Sequence, residues 1–305
     1  MVDGSVGSPD TGRTTSPPPG PRPVTISGVP ILPRPPRSVL VAALVALLCS
    51  CAGPGSAPAA APGPPAPTAP VAPAPVTPAP VAAPVATARP GAFPLPPGST
   101  VLIDPGHNGR NGPGSGIDRP VPDGRGGTKP CNTTGASTAD GYTEHAFTWA
   151  VSGLLADRLR ARGHRVVLTR DSDDGVGPCV DVRGTAGARA GAAAVISVHA
   201  DGGPTTGHGF HVLYSSPPLN AAQRGLARAL ADAAVGAMRG AGFTPATYIG
   251  RGGLDARDDI AGLNLATVPS VLVECANLRN PADAALARSP QGQQRLADAL
   301  AAALG

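Results

Sequence analysis

The stretch VLIDPGHNGR, Val101 to Arg110, governs how the rest of the chain is read. A short apolar run ends in Asp104, a Pro105-Gly106 turn follows, and His107 then stands without hydrophobic neighbours. Short apolar runs closed by turn residues read as buried strands. This one would set a histidine just past a strand's carboxyl end. Taken alone, a histidine on a glycine-flanked turn is more often an exposed loop residue than a ligand or a base.

The residues beyond it repeat the pattern. TEHAFTWAVSGLLADRLRARG reads as a helix, with Thr143 as its cap, Phe147, Val151, Leu154 and Leu155 on one face, and Gly163 as its stop. HRVVLTR is a strand, CVDVRGTAGARAGA a helix, AAVISVHAD and GFHVLYSS two further strands. NAAQRGLARALADAAVGAM is a helix with Leu226, Leu230, Ala233 and Ala234 on one face; VPSVLVECA is a buried strand, and QGQQRLADALAAAL closes the chain as a helix. Strands alternating with helices predict an α/β fold, a twisted, mostly parallel sheet flanked by helices.

Set on that map, His107 follows one strand, His199 ends VISVHAD, and Glu274 ends SVLVEC. Glu144 starts the first long helix. Parallel α/β sheets gather their sites just outside the carboxyl ends of the strands, where all four residues should meet. Two imidazoles and a carboxylate are a standard ligand set for catalytic zinc, with a position left for water. A second carboxylate, off the metal, would move the water's proton to a leaving group. The residues supply the inventory; their wide spacing matches no compact metal motif. His145, beside Glu144, is an alternative ligand, since one helix position turns a side chain by about 100° and only one of the pair can face the site.

VLIDPGHNG, EHAFTWA, VISVHAD and PSVLVECANLRNPAD, in that order, resemble the zinc-dependent N-acetylmuramoyl-L-alanine amidases, which remodel peptidoglycan. The resemblance implies that His107, Glu144 and His199 hold Zn2+ and that Glu274 is the catalytic carboxylate. It favours Glu144 over His145. The bond implied is the amide between the lactyl group of N-acetylmuramic acid and the first L-alanine of the stem peptide. Arg257, in LDARDDIAGLN, is similar to a family position near the substrate cleft. Two features depart from the broad family: Cys275-Ala276 where a Gly-Phe-like pair is common, and a long Gly-rich segment, Gly106 to Gly141, of the kind found in mycobacterial and related actinobacterial members. Neither touches a ligand, so both bear on specificity or access. A metallopeptidase or deacetylase on another envelope substrate is the enzymatic alternative; a non-catalytic peptidoglycan-binding lipoprotein is the other, although binding alone has no use for Glu274.

Cys131 and Cys179 should pair in an oxidising exterior, tying the Gly-rich segment to the start of the second helix. Cys275, one step from Glu274 on a strand, points to the opposite side and reads as a buried core thiol. His164 reads as exposed; His208 and His211 flank a strand, as groove or structural residues.

The 305-residue chain carries 24 basic and 20 acidic side chains. No Arg stripe with interleaved aromatics is present, and nucleic acid is not an expected partner. PRPPRSVLVAALVALLCSCAGPG has the basic–apolar–small order of an export signal, its apolar run too short to span a membrane. LLCSC resembles a lipoprotein box in which Cys51 becomes the lipidated first residue, anchoring the chain to the membrane; cleavage after Ala52 would instead release it. Residues 1–51 are thus a signal, 52–98 a Pro/Ala-rich disordered spacer, and 99–305 the catalytic domain, all of its work extracytoplasmic, at the cell envelope.

Overall fold

The computed structural model describes residues 91–305. The export signal, Cys51 and residues 52–90 of the spacer lie outside the described residues. Packing begins ahead of Ser99, because Phe93 is buried and its N–H donates to the Ala303 carbonyl at 2.8 Å, tying the entry of the domain to its end.

In chain order the first elements are β1 (Thr100–Pro105), β2 (Pro120–Pro122), β3 (Thr128–Pro130), α1 (Glu144–Ala161) and β4 (Arg165–Leu168). Next come α2 (Val180–Arg189), β5 (Ala194–Asp201), β6 (His211–Ser215), a π-helical turn (Ala222–Leu226), α3 (Ala227–Gly240) and β7 (Leu254–Arg257). The chain ends with α4 (Ala261–Asn264), β8 (Ser270–Asn277), α5 (Pro281–Arg288) and α6 (Pro290–Ala302).

Six strands form one sheet in the order β4-β1-β5-β8-β6-β7. β4, β1, β5 and β8 are parallel, as expected; β6 runs antiparallel to β8, and β7 follows β6 in parallel. Because β6 is reversed, its first residue, not its last, lies at the carboxyl edge of β8. The inner strands are covered on both faces and therefore apolar on both. Val101, Ile103, Ile196, Val198, Val271 and Val273 join the core formed with α1, α3 and α6. Leu102 and Val195 face the other way, against Ala186 and Ala190 at α2.

α1 buries Phe147, Val151, Leu155 and Leu159, a stripe at four-residue spacing. Thr143 occupies the N-cap position, but its side chain makes no capping hydrogen bond. Ahead of α3 the expected apolar face is broken: Leu230, Ala233 and Ala234 are buried while Leu226 is 53% exposed. The π turn is the cause, because its extra residue rotates what precedes α3 by about 100°. Gln223 anchors that turn from within, its Nε2 donating to the carbonyls of Leu263, Asn264 and Ala266 at 3.0, 2.9 and 2.8 Å.

The Gly-rich segment is not bare loop. It contains the antiparallel β2–β3 ribbon, and the Cys131–Cys179 disulfide joins the end of that ribbon to the N-cap of α2.

Candidate metal centre and cleft

The turn after β1 is shaped by its neighbours. A Cβ on Gly106 would lie 2.3 Å from the His199 ring, so only glycine lets the chain pass. His107 adopts φ +59°, the left-handed region that side chains rarely occupy, and the surroundings hold it there. Arg183 Nη2 donates to the His107 carbonyl at 2.8 Å, and its Nη1 bonds Asp104 Oδ1 at 2.7 Å and the Pro105 carbonyl at 2.6 Å. Arg170 Nε reaches the Pro105 carbonyl at 3.0 Å, and Thr148 Oγ1 donates to the Gly106 carbonyl at 2.7 Å. Two buried arginines thus fasten the strand end that carries His107.

The His107 ring is oriented by the Gly-rich segment. Its Nδ1 lies 3.0 Å from the Thr133 carbonyl, which can only accept, so Nδ1 carries a hydrogen and Nε2 is the ring atom turned toward the cluster. Nε2 lies 3.1 Å from Glu144 Oε1, and the same oxygen lies 2.8 Å from His199 Nδ1. Backbone N–H groups pin the carboxylate from both sides, Ala136 to Oε2 at 2.7 Å and Ala200 to Oε1 at 3.1 Å. The burial of Glu144 opposes its charge, yet the His107 and His199 rings beside it hold its carboxyl well below the usual range. One donor atom from each of His107, Glu144 and His199 lies within 4.8 Å of the others. Ligands about 2.0 Å from a tetrahedral zinc stand roughly 3.3 Å apart. The three donor atoms converge at about that spacing, on a residue set that suits zinc, so these residues fit a zinc ion.

Glu274 stands beside this cluster, its Cα in register with that of His199. Its Oε2 is buried and has no hydrogen-bond partner among the described residues. Burial first, then the charges of Glu144 and Asp201, raises its pKa well above the ordinary carboxylate value. His107, Glu144, His199, Asp201 and Glu274 line one cleft of about 420 Å³, walled by the Thr133–Ala136 loop and by the start of α4.

A family model described as N-acetylmuramoyl-L-alanine amidase matches residues 101–305. The chain belongs to that amidase family. An N-acetylmuramoyl-L-alanine amidase of Mycobacterium tuberculosis is 50% identical to it over 203 residues, 67% of this chain and 83% of the relative. The crystal structure of the amidase Ami1 from Mycobacterium smegmatis is 52% identical with TM-score 0.67, over 68% of this chain and 95% of that one. A Nostoc punctiforme amidase, AmiC2, at 23% identity and TM-score 0.51 over 68% of this chain and 94% of its own, shares the fold.

The amidase fold brings together the four residues expected at one edge and separates the others. His145 is turned away, its Nδ1 bonded to Asp173 Oδ2 at 2.7 Å. Arg257 is outside the residues lining the cleft and pairs with Asp255 at 3.3 Å and Asp259 at 2.6 Å. Cys275 is a free, buried thiol. His164 is half-buried rather than exposed, and His211 is buried on the Glu274 side of the sheet. Sequence reading missed Asp104, Arg170 and Arg183 as supports of the turn, and Thr133 and Ala136 as supports of the ligands. A buried Asp and an Arg some eighty positions apart carry no local pattern; only the Asp at the end of a β1-type run hinted at a role.

Proposed function

We propose that this enzyme hydrolyses the amide between the lactyl group of N-acetylmuramic acid and the L-alanine of the stem peptide in peptidoglycan, with a zinc ion held by His107, Glu144 and His199. The observation that carries the reading is the three-donor cluster with a second carboxylate in the same cleft, whose buried Oε2 has no partner among the described residues. A zinc ion bound there would polarise the scissile carbonyl and acidify a water. Glu274 then takes a proton from the attacking water and hands it to the alanine nitrogen as the carbon–nitrogen bond breaks. A carboxyl whose burial raises its pKa suits both halves of that transfer. Products are a lactyl carboxylic acid on an intact glycan and a peptide with a free L-alanine amine. Thr133 and Ala136 keep the ligands oriented, while Arg183 and Gly106 hold the His107 turn against the His199 ring.

The substrate places the work at the cell envelope. The LLCSC box supports a lipid anchor at Cys51, with the Pro/Ala-rich segment as the tether. Digestion of purified peptidoglycan tests the chemistry. Released peptides should begin with L-alanine, metal chelation should stop release and added zinc restore it, and Glu274→Gln should lower the rate by roughly two to four orders of magnitude. Peptides cut within the stem would point to a peptidase, and a fully active Glu274→Gln protein would remove Glu274 from its role.

A further inference from the structure

Lys129, on β3, is the chain's only lysine, and it lines the same cleft as His107, Glu144, His199 and Glu274. It is half-buried, and its Nζ donates to the Asp259 carbonyl at 2.6 Å. Ile260, Ala261 and Leu263, just after Asp259, line that cleft too. The ammonium is thus pinned where the ribbon meets the start of α4, on the apolar flank of the cleft. The ribbon is itself held, because the disulfide at Cys131 ties its end to α2.

Among the described residues, a neutral carbonyl is the only hydrogen-bond partner of this ammonium, and no carboxylate pairs with it. The acids that feel its charge are engaged elsewhere. Asp259 holds Arg257 through both carboxylate oxygens, at 2.8 and 2.6 Å. Asp123 Oδ1 accepts the N–H groups of Arg125 and Gly127 at 2.7 and 3.0 Å. An ammonium on an apolar wall, short of water and without an anion, is set to receive one. The substrate can offer it from one part only. N-acetylated sugars are uncharged, and the lactyl carboxyl is tied up in the amide that is cut. The anions near the scissile bond are therefore the carboxylates of the stem peptide.

We propose that Lys129 is a specificity-determining residue that binds a carboxylate of the stem peptide beyond the L-alanine. The peptide then lies along the β3–α4 side of the cleft, and the glycan leaves by another side. The inference rests on the amidase reading above and adds which part of the substrate is recognised, and where. Lys129 gives up no ion pair to bind, and two of its three N–H donors stay available while the Asp259 carbonyl holds the third. A primary amide in place of the carboxylate keeps the shape and loses the charge, so the site distinguishes the two.

The test uses the full chain and two preparations of one peptidoglycan, with the stem carboxylates free or converted to primary amides. At limiting substrate the wild type should release peptides from the free acid roughly ten- to a hundredfold faster than from the amide. Added salt should shrink that preference. Lys129→Met should lose the preference while matching the wild type on the amide, and Lys129→Arg should keep it. An equal loss on both substrates would make Lys129 a strut between ribbon and α4, and an undiminished preference in Lys129→Met would place the carboxylate elsewhere. Either result overturns the proposal. If Lys129→Met does not fold, carbon-13 methylation of the wild type decides, because a single lysine gives a single methylated ε-amine signal. The stem peptide with free carboxylates should shift that signal more than its amide does, and a signal unmoved by the free acid refutes the proposal. Release of no L-alanyl peptide from either preparation would instead bring down the amidase reading, so the two failures are distinguishable.

Discussion

Asp104 sits behind the strand end that carries His107, accepting from Ser197 Oγ at 2.6 Å, from Thr169 Oγ1, and from the Arg183 guanidinium at 2.7 Å. Its burial would raise its pKa, but the Arg183 charge and the two hydroxyls outweigh that and hold the carboxyl down at about 2, below the ordinary 3.8. A folded-state pKa depressed in this way stabilises the protein above the unfolded value. That contribution disappears as the pH falls from about 4 toward 2, and amounts to about 2 kcal/mol. Urea denaturation should show this loss in the wild type and not in Asp104→Asn. The variant should be less stable at neutral pH, since it leaves the Arg183 charge buried without its partner. Equal acid sensitivity in the two proteins would mean that Asp104 does not carry the effect. Arg183 connects this residue to the site, because the same guanidinium holds the carbonyls of Pro105 and His107.

Among the elements, the disulfide has the widest reach. Cys131 closes the β2–β3 ribbon and opens the loop that presents Thr133 to His107 and Ala136 to Glu144; Cys179 caps α2, which carries Arg183. The bridge spans 48 residues, and the chain-entropy account gives it about 4 kcal/mol. Reduction, or Cys131→Ser with Cys179→Ser, should therefore lower the melting temperature and weaken zinc retention together. Calorimetry and zinc content with and without reductant measure both, and an unchanged melting temperature would mean that the bridge only decorates the loop. The pairing was legible from the cysteine count and the export signal. The helices α1 and α6 and the strands β1, β5 and β8 were legible from periodicity, because each buries a regular set of positions. β7, α5 and the ribbon were not. Their residues are short, mixed and glycine- or proline-rich, and they are held by pairing and side-chain anchors such as the Asn280 cap of α5. Leu226 went astray for a related reason, since nothing local announces a π turn.

For the whole molecule, among the described residues no helix is long and apolar enough to cross a membrane. The lipid anchor proposed above rests on Cys51. The wild-type protein should partition with the detergent phase, and Cys51→Ala with the aqueous one. A wild-type protein found wholly in the aqueous phase would favour cleavage after Ala52. By itself the sequence determined the class of fold and the identity of four of the cleft residues, because strand periodicity states where each run ends and parallel sheets gather those ends at one edge. It also pointed to amidase chemistry, through the resemblance of its four blocks to that family rather than through the residue set alone. Only the tertiary structure decided which carboxylate meets the imidazoles, what supports the His107 turn, and that reversed β6 puts His211 in register with Glu274. These depend on strand direction and on contacts between residues far apart in the chain, and no local pattern encodes either.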